Sequence, residues 1–138
     1  MKVLVLGKAT EASESGEFGS PEAFAAMDQY MKQLTEAGIL LAADGLQPSS
    51  KAKRVAVDVD GSARVIDGPF AETKELVAGY SIWEVSSMDE AIEWARRSPL
   101  PGVVELRKIL DADDFGDAFA ADIAAAEDRL RAETAAPS

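Results

Sequence analysis

The chain has 138 residues, of which 47% are hydrophobic, enough for one domain with a continuous core and no covalent staples. It contains neither cysteine nor histidine, so within this chain thiolate nucleophiles, disulfides, zinc sites of the usual kinds and an imidazole base are excluded. A formal charge of −11, from 14 basic and 25 acidic residues, repels phosphate backbones and anionic membranes, so neither nucleic acid nor membrane is an expected partner. No stretch approaches the roughly 20 apolar residues of a membrane span and Met1 to Gly7 has no signal-peptide pattern, which makes the expectation cytoplasmic.

Lys2 to Leu6 is a short β-branched and aliphatic run that predicts a strand, and Thr10 to Ser20 follows without periodicity, as a mobile loop that could serve as a pocket lid. Ser20-Pro21-Glu22 sets an N-cap, a first-turn proline and a first-turn acid in order. Phe24, Met27, Met31 and Leu34 then recur at helical spacing until Gly38 supplies a stop, so an amphipathic helix ending near Ala37 should bury that stripe as core. Ile39 to Ala43 reads as a second strand that leaves through Asp44-Gly45-Leu46-Gln47-Pro48.

Arg54 to Val59 alternates with a period of two, Asp60-Gly61 is a hairpin turn signal, and Ala63 to Ile66 returns. Asp58, Asp60 and Asp67 lack the alternating ligands of a calcium loop, so no metal site is expected there. Glu75 to Val85 reads as a longer strand. Ser87 with Glu90 forms a capping box, Met88, Ala91, Ile92 and Ala95 give the next helix its apolar face, and Gly102 to Ile109 alternates as a final strand. This order predicts an α+β fold: a ferredoxin-like sandwich with a β-hairpin insertion. One sheet face is left without helices, and a second copy covering it would give a homodimer closed into a dimeric α/β barrel.

Residues 111–134 hold eight acids against two arginines, a net −6 (8 − 2), while Phe115, Phe119, Ile123, Ala126 and Leu130 share one helical face. The chain is therefore divided into a domain at 1–109 and an acidic C-terminal helical extension at 110–138, where a protein partner could dock.

Asp67-Gly68-Pro69-Phe70-Ala71-Glu72-Thr73-Lys74-Glu75 mixes turn-formers, an aromatic ring and alternating charge in a way that neither helix nor strand periodicity requires. This stretch resembles the signature of the DGPF proteins, a branch of the YCII-related family. The resemblance extends in order through Ala37-Gly38, Gly45 to Pro48, Asp60-Gly61, Gly79-Tyr80, Asp89 to Ala91, Trp94-Ala95, Pro99 and Gly102 to Arg107, so it covers about residues 1–109. It implies a dimeric α/β barrel of ferredoxin-like halves. It also implies membership of a group regarded as enzymes without an agreed substrate, some of whose DGPF members accompany extracytoplasmic-function sigma factors. YCII-type relatives are thought to use a histidine with an acid. This chain has no histidine, so that mechanism does not carry over.

Physically, Asp67-Gly68-Pro69 should form a tight turn with the Asp67 carboxylate accepting from nearby backbone N–H groups. Glu72, Lys74 and Glu75 are the catalytic candidates, as acid/base carboxylates and an ammonium. Asp67, Phe70, Tyr80, Glu105 and Arg107 are the ligand-binding candidates, with Arg107 able to clamp a small anionic ligand. Glu105 and Arg107, two apart on one strand, should face the same side, opposite Val104, Leu106 and Lys108. There is no phosphate-binding glycine loop and no serine elbow, and no cofactor is expected. The reading is thus a small-molecule-binding or regulatory homodimeric domain, with acid–base chemistry by Glu, Lys and Arg as the alternative.

Overall fold

The structure, a computed structural model, describes residues 1–72 and 75–135. The chain divides into two compact units, Met1–Lys108 and Ile109–Ser138. In the first, β1 (Lys2–Lys8), a one-turn α1 (Glu11–Glu14) and α2 (Pro21–Glu36) lead to β2 (Leu40–Gly45). A 3₁₀ turn (Ser49–Lys51) precedes the hairpin of β3 (Lys53–Val57) and β4 (Ala63–Asp67), and β5 (Val77–Glu84), α3 (Met88–Arg96) and β6 (Val104–Lys108) complete the unit.

Four strands form one sheet in the order β2-β5-β1-β6 with every neighbouring pair antiparallel, and β3 and β4 pair separately. The alternation of β1 decides which side is covered. Val3 and Val5 are buried and lie opposite Trp83 and Ser81 of β5, so these four share the face on which the helices pack. The core there joins Val3, Val5, Trp83 and Val85 to Tyr30, Leu34, Ile39 and Ala91, with Met27, Met31, Met88 and Leu106 packed around them. Removing each such large apolar side chain from water contributes about 1.5–3 kcal/mol. On the other face Leu4, Leu6 and Ile82 are half-buried, and none of the helices of this unit packs on them.

The ends of α2 follow its sequence signals. The Ser20 hydroxyl accepts the Ala23 N–H at 3.1 Å, and Pro21 occupies the first turn, where its missing N–H costs nothing. At the other end Gly38 takes φ +75, Ile39 N–H donates to the Leu34 carbonyl at 2.9 Å and Gly38 N–H to Thr35 at 3.0 Å. These two bonds make a Schellman motif, with Leu34 and Ile39 buried together as its apolar contact.

Several expectations are corrected. Phe24 is 76% exposed: the helix, about 24 Å long, contacts the core only from Met27 onward, so its first turn lies beyond the packed region. The 10–20 segment contains α1, capped reciprocally by Ser13 N–H to Thr10 Oγ1 (3.1 Å) and Thr10 N–H to Ser13 Oγ (2.9 Å). Val59 belongs to a five-residue hairpin loop, 58–62, rather than to a strand. Asp58 N–H donates to the Ser62 carbonyl there, and Gly61 turns at φ +88. Ser87 caps α3 by accepting the Glu90 N–H at 3.1 Å, but the Glu90 carboxylate reaches back to Ser86 N–H, so the capping box is offset by one residue. Ile92, counted on the apolar face of α3, is exposed, as are Val55, Val57 and Val65 on one face of the hairpin.

The second unit holds a 3₁₀ turn (Ala112–Asp114), fastened by the Asp114 carboxylate accepting the Asp111 N–H and the Asp111 carboxylate accepting the Asp113 N–H, and the helix α4 (Asp117–Ala135). Ile123 is half-buried while Ala126 and Leu130 are exposed. The side chain of Phe119 lies outside the described part of the chain. Among the described residues no helix is long and apolar enough to cross a membrane.

Candidate functional site

A cavity of about 350 Å³ lies between the sheet and the helices of the first unit. Its floor is set by strand register. Gly45 of β2 lies beside Gly79 of β5, which lies beside Gly7 of β1, and the row ends at Val104 of β6. Three adjacent strands therefore carry no side chain at the same level. At Gly45 a Cβ would meet nothing within 4 Å and at Gly7 only an ordinary 3.6 Å contact, so glycine at these two positions leaves space, whereas at Gly79 a Cβ would stand a tight 3.2 Å from the Asp44 carbonyl oxygen. Met27, Tyr30 and Met31 of α2 with Ala95 of α3 form the opposite wall, while Ser81 and Trp83 of β5 line the deep side.

One buried polar group in this wall has unmet hydrogen-bonding capacity: Trp83 is 2% exposed and its Nε1–H has no acceptor among the described residues. Ser81, 5% exposed, also lines the cavity, and its hydroxyl makes no hydrogen bond with the described residues. Buried polar groups are nearly always paired, and an unpaired one costs about 1–3 kcal/mol. Tyr30, by contrast, is satisfied: its hydroxyl donates to the Trp94 carbonyl at 2.5 Å, and burial pushes its phenol pKa up, partly opposed by Arg97. Asp44 and Tyr80 also border the cavity, next to the side-chain-free positions Gly45 and Gly79, but strand register puts their side chains on the other face of the sheet, with Leu6. The Tyr80 hydroxyl donates to Asp44 Oδ2 at 2.8 Å, and this bond, together with the carboxylate charge, raises the Tyr80 pKa.

The Asp67–Glu75 segment frames a different hollow of about 380 Å³, bordered by Glu14, Ser49, Lys51, Arg54, Phe70 and Glu75 among others. Its organising residue is Ser49. The Glu14 carboxylate accepts both the Ser49 N–H, at 2.9 Å, and the Ser49 hydroxyl. Ser49 Oγ in turn accepts the Phe70 N–H at 3.2 Å. Gly68 N–H donates to the Ala52 carbonyl at 3.0 Å, bringing the chain so close that a Cβ on Gly68 would stand 1.7 Å from the Ser49 carbonyl oxygen. Glycine is thus obligatory here for close approach of two backbones. The Arg54 guanidinium stacks 3.6 Å from the Phe70 ring centroid, a cation–π contact. Asp67 does not cap its own turn: its carboxylate pairs with Lys53 Nζ at 2.6 Å, its cross-strand neighbour in the hairpin.

On the face of the sheet away from the helices, Glu105 receives Lys8 at 3.3 Å and Arg107 at close range. The hydrogen bond from Lys8 is the main cause holding the Glu105 carboxyl below its ordinary range; desolvation opposes it, and the charges of Arg107 and Lys8 add to the lowering.

A family model, the YCII-related domain, matches residues 1–113. The chain belongs to that family. An uncharacterised protein of Rhizobium meliloti (strain 1021) is 35% identical over 87 residues, covering 60% of this chain and 69% of that one. Among solved structures, 5-chloro-2-hydroxyhydroquinone dehydrochlorinase (TftG) from Burkholderia phenoliruptrix AC1100, in complex with 2,5-dihydroxybenzoquinone, aligns with a TM-score of 0.47 at 14% identity. That alignment covers 84% of this chain and all of the other.

The candidate residues of this YCII-related protein are distributed over three places. Phe70 and Glu75 border the hollow beside Ser49, and Glu72 is exposed, with its carbonyl accepting the Glu75 N–H at 2.9 Å. Lys74 lies outside the described residues. Tyr80, Glu105 and Arg107 share the helix-free face, Tyr80 and Glu105 standing on either side of Leu6. Asp67 stays on the hairpin with Lys53. The sequence reading missed Ser81, Trp83, Asp44 and the glycine row. The available signal was two glycines, Gly7 and Gly79, inside strand-like runs, where a glycine without a turn marks a bulge or reserved space.

Proposed function

We propose that this YCII-related protein is a small-molecule-binding domain whose ligand occupies the cavity between the sheet and the helices. The observation that carries the reading is the combination of about 350 Å³ of space, a floor of three aligned glycines and an unmet buried indole N–H, that of Trp83, with the Ser81 hydroxyl beside it on the wall. Pockets of this kind, apolar with a few placed polar groups, are the usual form of ligand sites. The domain at 1–109 acts as a ferredoxin-like half, a reading supported by the order β2-β5-β1-β6 with α2 and α3 as the crossovers. It works as a homodimer closed into an α/β barrel, which would cover Leu4, Leu6 and Ile82, and carries the acidic 110–138 extension as a surface for a protein partner. A link to an extracytoplasmic-function sigma factor rests on the resemblance of the signature and adds no residue to the site.

The test is two-dimensional amide NMR on the full chain with a panel of small alcohols, ketones, arenes and carboxylates. Shifts should concentrate at Gly7, Gly45, Gly79 and Ser81. Shifts confined to residues 46–54 and 70–77 would move the site to the hollow beside Ser49 and refute the assignment.

A further inference from the structure

Resting on that reading of the cavity, we infer that its ligand is a compact, uncharged aromatic molecule bearing a carbonyl or hydroxyl oxygen. Four features of the wall converge on this class. The space, about 350 Å³, lies at the small end of ligand sites, which fits one or two rings rather than a nucleotide or a lipid chain. The wall combines the rings of Tyr30 and Trp83 with the thioethers of Met27 and Met31. Aromatic edges and polarisable sulfur both favour a flat π-system over an aliphatic one of equal size.

Charge narrows the class further. Among the described residues no lysine or arginine borders the cavity, and the one acid beside it, Asp44, turns its carboxylate to Tyr80 on the other face of the sheet. A carboxylate or phosphate would therefore lose its hydration without gaining a counter-charge, an expensive form of burial. The unmet indole then fixes the polar handle. An indole N–H can only donate, so a ligand oxygen able to accept relieves Trp83, and it can take a second bond from the Ser81 hydroxyl, which is committed to no acceptor among the described residues. The neighbouring Tyr30 phenol does not compete for that oxygen, because it already donates to the Trp94 carbonyl.

The experiment titrates acetophenone, benzoate and cyclohexyl methyl ketone into the full-length protein, following the Gly7, Gly45 and Gly79 amides and the Trp83 indole N–H. Acetophenone should move all four signals, with benzoate weaker by about tenfold or more for want of a counter-charge and the cyclohexyl ketone weaker by about threefold or more for want of a ring. Ser81→Ala and Trp83→Phe should each weaken acetophenone by about three- to tenfold, the effect of one neutral hydrogen bond. If Trp83→Phe does not fold, Ser81→Ala, which removes a single atom, carries the test. Benzoate or the aliphatic ketone binding as tightly as acetophenone, or acetophenone indifferent to Ser81→Ala, would overturn the ligand class while leaving the cavity as the site. Failure of all three probes to move the glycine amides would defeat the class and the cavity reading together.

Discussion

Adding one methyl group at Gly68 tests how the signature segment is held. The new Cβ would stand 1.7 Å from the Ser49 carbonyl oxygen and 2.7 Å from its carbon, both backbone atoms that no rotamer change can move. Reaching even a tight contact of 3.0 Å needs a separation of more than 1 Å between the two segments. The Gly68 N–H to Ala52 bond, now 3.0 Å, and the Phe70 N–H to Ser49 Oγ bond, now 3.2 Å, have no slack for such a move before they exceed hydrogen-bond range. Their loss amounts to about 1 kcal/mol each. Residual overpacking adds about 1–3 kcal/mol, so Gly68→Ala should destabilise by about 3–5 kcal/mol. Gly45→Ala is the matched control, because its Cβ meets nothing within 4 Å; it should be neutral or stabilising by up to about 1 kcal/mol. The assay is equilibrium urea unfolding of both variants and the parent at one protein concentration, since self-association would make stability concentration-dependent. A Gly68→Ala midpoint indistinguishable from that of the parent would refute the close-approach argument.

Three further outcomes are expected. Ser49→Ala leaves the Phe70 N–H and a Glu14 carboxylate oxygen without their shared partner, so it should cost about 1–3 kcal/mol in urea and speed hydrogen exchange at the Phe70 amide. Glu105 has a lowered pKa in the folded state, so its contribution is complete above the ordinary glutamate range and lost as pH falls through the folded value; carboxyl NMR titration should show Lys8→Met raising that midpoint more than Arg107→Met does. Tyr80 has a raised pKa, so its contribution is complete below the ordinary tyrosine value of 10.0 and is lost as pH rises through the folded value. Asp44→Asn should return the phenol towards that ordinary value by ultraviolet titration, and an unmoved midpoint would deny the 2.8 Å hydrogen bond its role.

What could be read in advance followed the range of the interaction involved. Local signals were legible: the Ser20 cap, Pro21 and Gly38 bracket α2 within one or two residues, and the alternation of β6 gave the correct faces for Glu105 and Leu106. The one-turn α1 is too short to show a period, and its role depends on Glu14 meeting Ser49, 35 residues away. Asp67 went to a cross-strand lysine because the hairpin register puts Lys53 opposite it, an option that a reading confined to the turn does not contain. The cavity was the least legible feature, since a row of glycines becomes a floor only when strand order and register align Gly7, Gly79 and Gly45. Each alone reads as a weak strand position.

The same geometry bears on whether the cavity binds or reacts. Proton abstraction needs a base within reach of the substrate, and with histidine absent from the chain the described side chains that face the cavity offer only the hydroxyls of Ser81, Ser98 and Tyr30. Neither serine is hydrogen-bonded to a base that would activate it: Ser98 Oγ donates to the Leu100 carbonyl, and Ser81 is without a partner among the described residues. The Tyr30 phenol has a raised pKa, which suits a donor and disfavours a phenolate base. The Asp44–Tyr80 pair, joined at 2.8 Å, stands on the other face of the sheet and does not face the cavity. A ligand that accepts from Trp83 or Ser81, by contrast, disturbs nothing already formed. That asymmetry favours binding over catalysis and makes Asp44→Asn the control variant: acetophenone affinity should be retained while Tyr80 is released, and a lost affinity would put the carboxylate in the site.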